Sequence, residues 1–209
     1  MVLNVGDHIA AVERSVSPLE REGKPAYSVT LSRSYATTID DLWDAVTNGS
    51  RISRWFLPIT GELKLGGRYQ LEGNAGGRIT ACERPSHFAL TWEFAEAVSW
   101  VEVQVSENGA SCAKLVLLHI QYGSNLWDEY GPGAVGVGWE VGLMSLAMHI
   151  TQPSAQMLDA SFATTQGGKT FVTSSSERWG QAAISAGTAS DTAHAAVART
   201  IAFYTGETA

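Results

Sequence analysis

The chain has 209 residues, of which 44% are hydrophobic and 17% are charged, and its formal net charge at pH 7 is −7. This length is typical of one domain, with room for an appendage, and the apolar content is sufficient for a hydrophobic core. No block of Lys and Arg occurs, which argues against nucleic acid or a membrane surface as a partner. Neither a secretory signal nor a continuous apolar run of about 18 residues is seen, so we expect a soluble cytoplasmic protein.

The two cysteines, Cys82 and Cys112, both fall in strand-like segments. We predict that they are small buried core residues in a reducing compartment, with a disulfide or a metal pair as the alternative. The CxxC spacing that favours a metal site is absent. The sequence therefore predicts no metal and no cofactor.

Residues 8–35 are predicted to form a β-hairpin. Its strands are Ile9–Val16 and Tyr27–Tyr35, and the turn begins near Pro18. In the second strand, apolar and polar side chains alternate, as in a half-buried strand. Thr38 then begins a helix, with Asp41 three residues later as a weak capping signal. A second short helix is predicted to follow it, so two helices are inserted after the hairpin.

Between Gly61 and Gln121 the chain is predicted to form successive strands joined by short turns, which is the pattern of an antiparallel meander. Phe88, Leu90 and Trp92 share one face of their strand. The strand Lys114–Ile120 is apolar on both faces, so we expect it in the middle of the sheet and covered on both sides.

The stretch Gly131–Ile150 is predicted to begin as a glycine-rich loop at the rim of the sheet and to become a long apolar helix near Gly138. The polar segment 151–173 is predicted to be a linker. Two alanine-rich helices follow, Ser174–Ala186 and Ser190–Tyr204, each with a glycine just past its end.

Seven short motifs occur in an order that is typical of one superfamily. They are Leu42-Trp43 with Ala45–Asn48, Arg54–Phe56, Leu65–Tyr69, Glu83–Pro85, Leu90–Glu93, Leu117–His119, and Gly138-Trp139 with Leu143 and Leu146. On these motifs the chain resembles the SRPBCC (START-like) superfamily, in the branch of activators of the heat-shock-protein ATPase. The residues outside the motifs are similar to those of an actinobacterial-type subgroup with a C-terminal helical tail.

The resemblance implies an α+β helix-grip fold, in which a curved antiparallel sheet wraps around a long C-terminal helix. Residues 1–150, with the hairpin 8–35, would form this domain. Segment 151–173 would be the linker, and 174–206 a helical extension packed on the domain. Relatives in the superfamily bind apolar small molecules in a cavity between sheet and helix, act as polyketide cyclases, or bind a chaperone.

Aromatic and aliphatic side chains on the predicted inner faces are the candidate cavity lining. They are Trp55, Phe56, Tyr69, Phe88, Leu90, Trp92, Leu117, His119, Trp127, Trp139 and Leu143. Ordinary core packing is the alternative role for each of them. His119 is also the best candidate for a proton donor or ligand anchor, against a structural histidine. No residue is assigned to catalysis, because no nucleophile motif occurs.

We therefore expect a protein that binds a small hydrophobic ligand in an internal cavity, without established catalysis. A stress-related chaperone cofactor and a polyketide cyclase or hydrolase are the alternatives, and whether the protein is an enzyme stays open. The expected partners are a small hydrophobic molecule or a chaperone, with the chain as a monomer or homodimer.

Overall fold

The computed structural model of the protein describes residues 4–154, 158–159 and 161–207. The chain divides into two compact units. One, here called the helical unit, comprises Met1–Leu31, Tyr122–Val141 and Leu158–Ala209. The other, the sheet unit, comprises Ser32–Gln121 and Gly142–Met157. The predicted separation into domain, linker and extension follows other boundaries and stays a prediction.

Eight strands and seven α-helices lie within the described residues. The strands are β1 Val12–Arg21, β2 Lys24–Tyr35, β3 Ile59–Gly61, β4 Arg68–Leu71, β5 Gly76–Glu83, β6 His87–Phe94, β7 Ala97–Glu107 and β8 Ala113–Tyr122. The α-helices are α1 Val5–Ala10, α2 Ile39–Thr47, α3 Gly49–Ile52, α4 Asn125–Tyr130, α5 Gly133–Thr151, α6 Gln166–Ser185 and α7 Ser190–Thr205. A short 3₁₀ helix covers Phe162–Thr164.

The strands form one eight-stranded antiparallel sheet in the order β1-β2-β8-β7-β6-β5-β4-β3. From β3 to β8 each strand pairs antiparallel with the next one along the chain, which confirms the predicted meander. Helices α2 and α3 stand between β2 and β3 in the chain. They separate β2, which pairs with β8, from β3 at the opposite edge.

The N-terminal hairpin forms, but its first strand lies later in the chain than predicted. Residues Val5–Ala10 are helical, and β1 runs through Pro18, which was assigned to the turn. A proline is compatible with β1 because this strand lies at the edge of the sheet. The chain reverses at Glu22 and Gly23, whose φ angles of 53° and 75° lie in the left-handed region.

Helix α2 confirms its sequence signals. The Thr38 side chain accepts a hydrogen bond from the Asp41 backbone N–H at 3.3 Å, which satisfies one of the free donors at the helix start. Leu42, Trp43 and Val46 are buried on one side, as their helical spacing predicts.

Strand β8 lies in the middle of the sheet, as predicted, but only one of its faces is fully buried. Leu115 and Leu117 are buried, whereas Val116 and Leu118 on the other face are half-buried. The expectation of cover on both sides is therefore wrong. Branched and γ-branched side chains also fit a half-exposed strand, so an apolar run by itself does not establish burial of both faces.

Helix α5 begins at Gly133, five residues before the predicted start at Gly138. The glycines that suggested a loop lie in its first turns, where they face the C-terminal helices rather than a rim of the sheet. A Cβ atom added at Gly133 would meet Thr200 at 3.0 Å, and one at Gly136 would overlap the indole ring of Trp179. By length and composition α5 could cross a membrane, but most of its residues are buried inside the protein, as in a core helix.

Helix α6 also begins earlier than predicted, at Gln166 instead of Ser174. Thr165 caps it by accepting a hydrogen bond from the Gly168 N–H at 3.0 Å. Residues 166–173 of the predicted linker or loop are therefore helical, while residues 155–157 and 160 lie outside the described residues. Helix α7 matches its prediction and ends at Gly206, with φ at 70°.

The prediction that both cysteines are buried is wrong. Cys82 is exposed and Cys112 is half-buried, and both are free thiols. Cys82 lies next to the end of β5 and Cys112 immediately precedes β8, and at such positions alternation along a strand no longer indicates burial.

Candidate functional site

Nine of the eleven predicted cavity residues lie in the sheet unit, and Trp127 and Trp139 lie in the helical unit. The structure therefore does not bring all eleven into one described site. Three neighbouring strands of the sheet unit, β6, β7 and β8, carry five of the nine on one shared face. We call this the inner face and define it by two groups. One is Phe88, Leu90 and Trp92, and the other is the odd-numbered residues of 99–105 and 115–119.

Strand register explains why these side chains meet. Phe88 on β6 pairs with Val103 on β7, which pairs with Leu117 on β8. Two residues along, Leu90, Val101 and His119 form the next row. Because side chains alternate between faces, both rows project to the same side of the sheet.

Burial differs across these rows. Val101, Val103 and Leu117 are buried, but Phe88 and Trp92 at the β6 end remain half-buried. The β6 part of the inner face therefore keeps solvent-accessible aromatic surface, whereas its β7 and β8 part is closely packed.

Four of the predicted residues, Phe56, Tyr69, Leu90 and Trp92, belong to one apolar cluster. Tyr69 is buried at its centre, and its hydroxyl donates a hydrogen bond to the Thr91 carbonyl at 2.8 Å. Burial raises the pKa of Tyr69 well above its usual range, so the hydroxyl keeps its proton. This hydrogen bond fixes the aromatic ring across two strands.

Further aromatic contacts are made from helix α2 and from the turn that follows α3. Trp43 meets Phe88 edge to face, with ring centroids 5.9 Å apart. The Trp55 indole N–H donates to the Ala45 carbonyl at 3.0 Å, which orients its ring beside Phe56. Both Trp55 and Phe56 are half-buried.

The second half of helix α5 contributes Leu143 to this arrangement. The buried Tyr35 hydroxyl donates to the Leu143 carbonyl at 3.3 Å and ties the helix to β2. The ring of Phe56 lies against Gly142, where a Cβ atom would touch it at 3.5 Å. Leu143 itself is buried.

His119 forms a short polar chain within the inner face. The Ser99 hydroxyl donates to the Trp92 carbonyl at 3.2 Å, so its oxygen can accept from the His119 Nε2–H, 2.8 Å away. Burial lowers the pKa of His119 from 6.5 to about 4. The imidazole is therefore neutral at pH 7, where it orients Ser99 and cannot serve as an imidazolium acid.

His119 makes stability depend on pH. Because its folded pKa is below the unfolded value of 6.5, the unfolded chain binds the proton more tightly. The stabilisation is complete above pH 6.5 and is lost as the pH falls towards 4. We expect the free energy of unfolding to fall by about 2 kcal/mol from pH 7 to pH 5 through this one group. Urea unfolding at both pH values measures it, and His119→Gln should remove about that difference; an unchanged difference contradicts the assignment.

Sequence reasoning missed one polar member of the inner face. Ser99 continues the alternation of Val101 and Val103, and extending that pattern by one step would have placed it inside. The alternation of β2 puts Arg33 on the same face as Leu31, although Arg33 is not among the predicted site residues. Arg33 is buried, and its guanidinium carbon lies 5.5 Å from the centre of the Tyr35 ring.

The other titratable candidates have structural partners. His149 is buried, and the Arg51 Nε donates to its Nε2 at 3.5 Å. Burial and the positive charges of Arg51 and Arg54 lower the pKa of His149. Glu140 is completely buried in an ion pair with Arg14 in the helical unit. No cluster of three potential metal-binding His, Cys, Asp or Glu residues occurs among residues 4–154, 158–159 and 161–207.

In the helical unit, Trp127 stacks on Tyr27 with ring centroids 4.2 Å apart and an interplanar angle of 12°. Both rings line a pocket of about 300 Å³ bounded by α4, the α4–α5 connection, α6 and α7. Trp139 is half-buried in the first half of α5. The sequence predicts both tryptophans as cavity-lining residues, but it does not predict that they lie in the helical unit.

Comparisons with solved structures support the architecture. CalU16 from Micromonospora echinospora is 29% identical, with a TM-score of 0.69 over 82% of this chain and 98% of that one. A conserved protein of unknown function from Enterococcus faecalis is 15% identical, with a TM-score of 0.55 over 72% of this chain and 83% of that one. DynU16, from the dynemicin biosynthetic locus, is 18% identical, with a TM-score of 0.52 over 60% of this chain and 48% of that one.

The eight-stranded antiparallel sheet with its helices matches the helix-grip fold of these neighbours, as predicted. No protein with a curated description matches the sequence. The family model described as "Activator of Hsp90 ATPase homolog 1-like protein" matches residues 36–151, which is more than half of the chain. The chain therefore belongs to the family of Hsp90 ATPase activator homolog 1-like proteins within the SRPBCC superfamily.

Proposed function

We propose that the protein binds a small, mainly apolar molecule against the inner face of the sheet unit. The observation that carries this proposal is the half-buried aromatic surface of Phe88 and Trp92, next to fully buried Val101 and Val103. Aromatic side chains that stay accessible beside a packed core are suited to flat apolar ligands.

The polar groups of the inner face indicate a neutral ligand. His119 is neutral at pH 7 and is bonded to Ser99, and the hydroxyl of the neighbouring Tyr69 on β4 is bonded to the Thr91 carbonyl. These groups are polar but carry no net charge. A compound with a fused-ring body and few polar atoms fits them better than an ionised metabolite, whose burial without a counter-charge is costly.

Removing one aromatic ring from the inner face should weaken binding. We expect Trp92→Leu to raise the Kd for the neutral probe N-phenyl-1-naphthylamine about tenfold, which corresponds to about 1.4 kcal/mol of lost contact. Fluorescence titration of the probe into the full chain measures this. Trp100→Leu is the matched control, because Trp100 is also half-buried but projects from the opposite face, paired with Thr91. Equal effects of the two variants, or no saturable binding, would refute the proposal.

The two alternative functions predicted from the sequence differ in their support. A cyclase or hydrolase needs an acid or base in the cavity, and the neutral, Ser99-bonded His119 does not favour an acid role. The chaperone-cofactor alternative rests on the description of the family and stays a prediction.

A further inference from the structure

The helical unit contains a pocket whose lining shares no residue with the inner face. Its volume of about 300 Å³ lies at the lower end of the range for small-molecule sites, about 300–1,000 Å³. The family match covers residues 36–151, so the walls contributed by α6 and α7 lie outside it. What this pocket binds must therefore be inferred from the residues that line it.

Close helix contacts border the pocket, so it is not loose packing. A Cβ atom added at Gly180 of α6 would overlap Val197 of α7, and one at Gly133 would meet Thr200 at 3.0 Å. All four residues line the pocket. The Thr200 hydroxyl also donates to the Tyr130 carbonyl at 3.1 Å. Small residues bring the helices together around the pocket while the space between them stays open.

One buried polar residue belongs to the wall of this space. Ser176 on α6 lines the pocket, is 1% exposed, and its hydroxyl has no hydrogen-bond partner among the described residues. A buried hydroxyl without a partner is destabilising, and a bound molecule that supplies one removes this penalty. Rotation of the Ser176 side chain towards the pocket would let its hydroxyl donate to a carbonyl or hydroxyl oxygen of a ligand.

The rest of the lining indicates the class of ligand. Trp127 and Tyr27 present aromatic surface, while Ala193 and Ala196 leave room for a ring. Asp128 is exposed and is the charged residue among the described lining residues, so the pocket offers an anion no counter-charge. We propose that this pocket binds a small neutral compound with an apolar ring and one hydroxyl or carbonyl group, held by the Ser176 hydroxyl.

Binding of 2-naphthol to the full chain tests this proposal by isothermal calorimetry. In the Trp92→Leu variant, whose inner face is expected to bind neutral aromatic compounds weakly, we expect a saturable site whose Kd rises about fivefold to tenfold when Ser176→Ala is added, because one neutral hydrogen bond is lost. Naphthalene, which lacks the hydroxyl, should bind both proteins equally, and anionic 2-naphthoate should bind more weakly than 2-naphthol.

Ser175→Ala is the matched control, because Ser175 is equally buried and its hydroxyl also has no partner among the described residues, yet it does not line the pocket. It should leave the Kd unchanged. Ala196→Leu, which adds three carbon atoms inside the pocket, should abolish the Ser176-dependent binding while thermal unfolding confirms a folded chain. The proposal fails if 2-naphthol does not saturate a site, if both serine variants act alike, or if Ala196→Leu has no effect.

Discussion

Replacing Arg14 by Met is expected to lower the free energy of unfolding by about 3–5 kcal/mol, because it leaves the Glu140 carboxylate buried without its counter-charge. The two side chains form a bidentate pair, with Arg14 Nε and Nη2 each 2.6 Å from one carboxylate oxygen. Side-chain exposure is 7% for Arg14 and 0% for Glu140, so water cannot replace the lost partner. Arg14 also donates to the Val12 and Ile9 carbonyls, and those hydrogen bonds are lost as well.

Two controls distinguish destabilisation by an unpaired buried charge from destabilisation by the loss of a side-chain contact. Arg14→Met with Glu140→Leu removes both charges and should recover most of the stability, since an apolar pair can replace a buried ion pair at little cost. Lys169→Met breaks the exposed pair of Lys169 with Glu207 in the same unit and should cost less than about 1 kcal/mol. Urea unfolding measures all three, and a cost for Arg14→Met as small as that for Lys169→Met would contradict the argument.

This ion pair lies beyond what local sequence patterns can predict. By contrast, alternation along β7 is enough to place Val101, Val103 and Val105 on one buried side, because strand periodicity is a local property. Arg14 and Glu140 are 126 positions apart, and their contact depends on how a strand and a helix pack. Each residue alone resembles an ordinary charged surface side chain.

The predicted start of helix α5 is wrong for a related reason. Glycine in a helix interior costs about 1 kcal/mol relative to alanine, so Gly133, Gly136 and Gly138 favour a loop by local propensity. In the structure these residues lie where Thr200, Trp179 and Tyr204 approach the helix. Tertiary contact overrides the propensity, and the partners lie about 40 to 70 positions later in the chain, where no local window can include them.

Local sequence patterns likewise predict some features of the candidate site and not others. Phe88, Leu90 and Trp92 could be placed on one face from alternation alone. That they stay partly accessible, and that Ser99 holds His119, depends on strand pairing and on neighbouring helices. The aromatic character of Trp127 predicts a place in the cavity lining, yet the residue stacks on Tyr27 in the helical unit. Residue type predicted a ligand-facing role but not a location.

Gly136→Ala is expected to destabilise the protein by about 3 kcal/mol, the upper end of the usual cost of overpacking a core. The added Cβ would lie within 2.6 Å of three ring atoms of Trp179, and that side chain is completely buried. A flexible surface side chain could move away, but an enclosed indole can do so only by shifting α6 against α5. This cost exceeds the gain of about 1 kcal/mol that alanine brings in helix propensity.

Gly142→Ala on the same helix provides the matched control with the opposite sign. Its Cβ would meet the Phe56 ring at 3.5 Å, an ordinary van der Waals contact. The propensity gain then remains, and we expect stabilisation by about 0.5–1 kcal/mol. Thermal and urea unfolding of the two variants measure the contrast. If Gly136→Ala proves neutral, the indole of Trp179 is not closely packed on α5. If both variants stabilise the protein equally, helix propensity alone determines the effect of the two substitutions, and close packing against Trp179 contributes nothing.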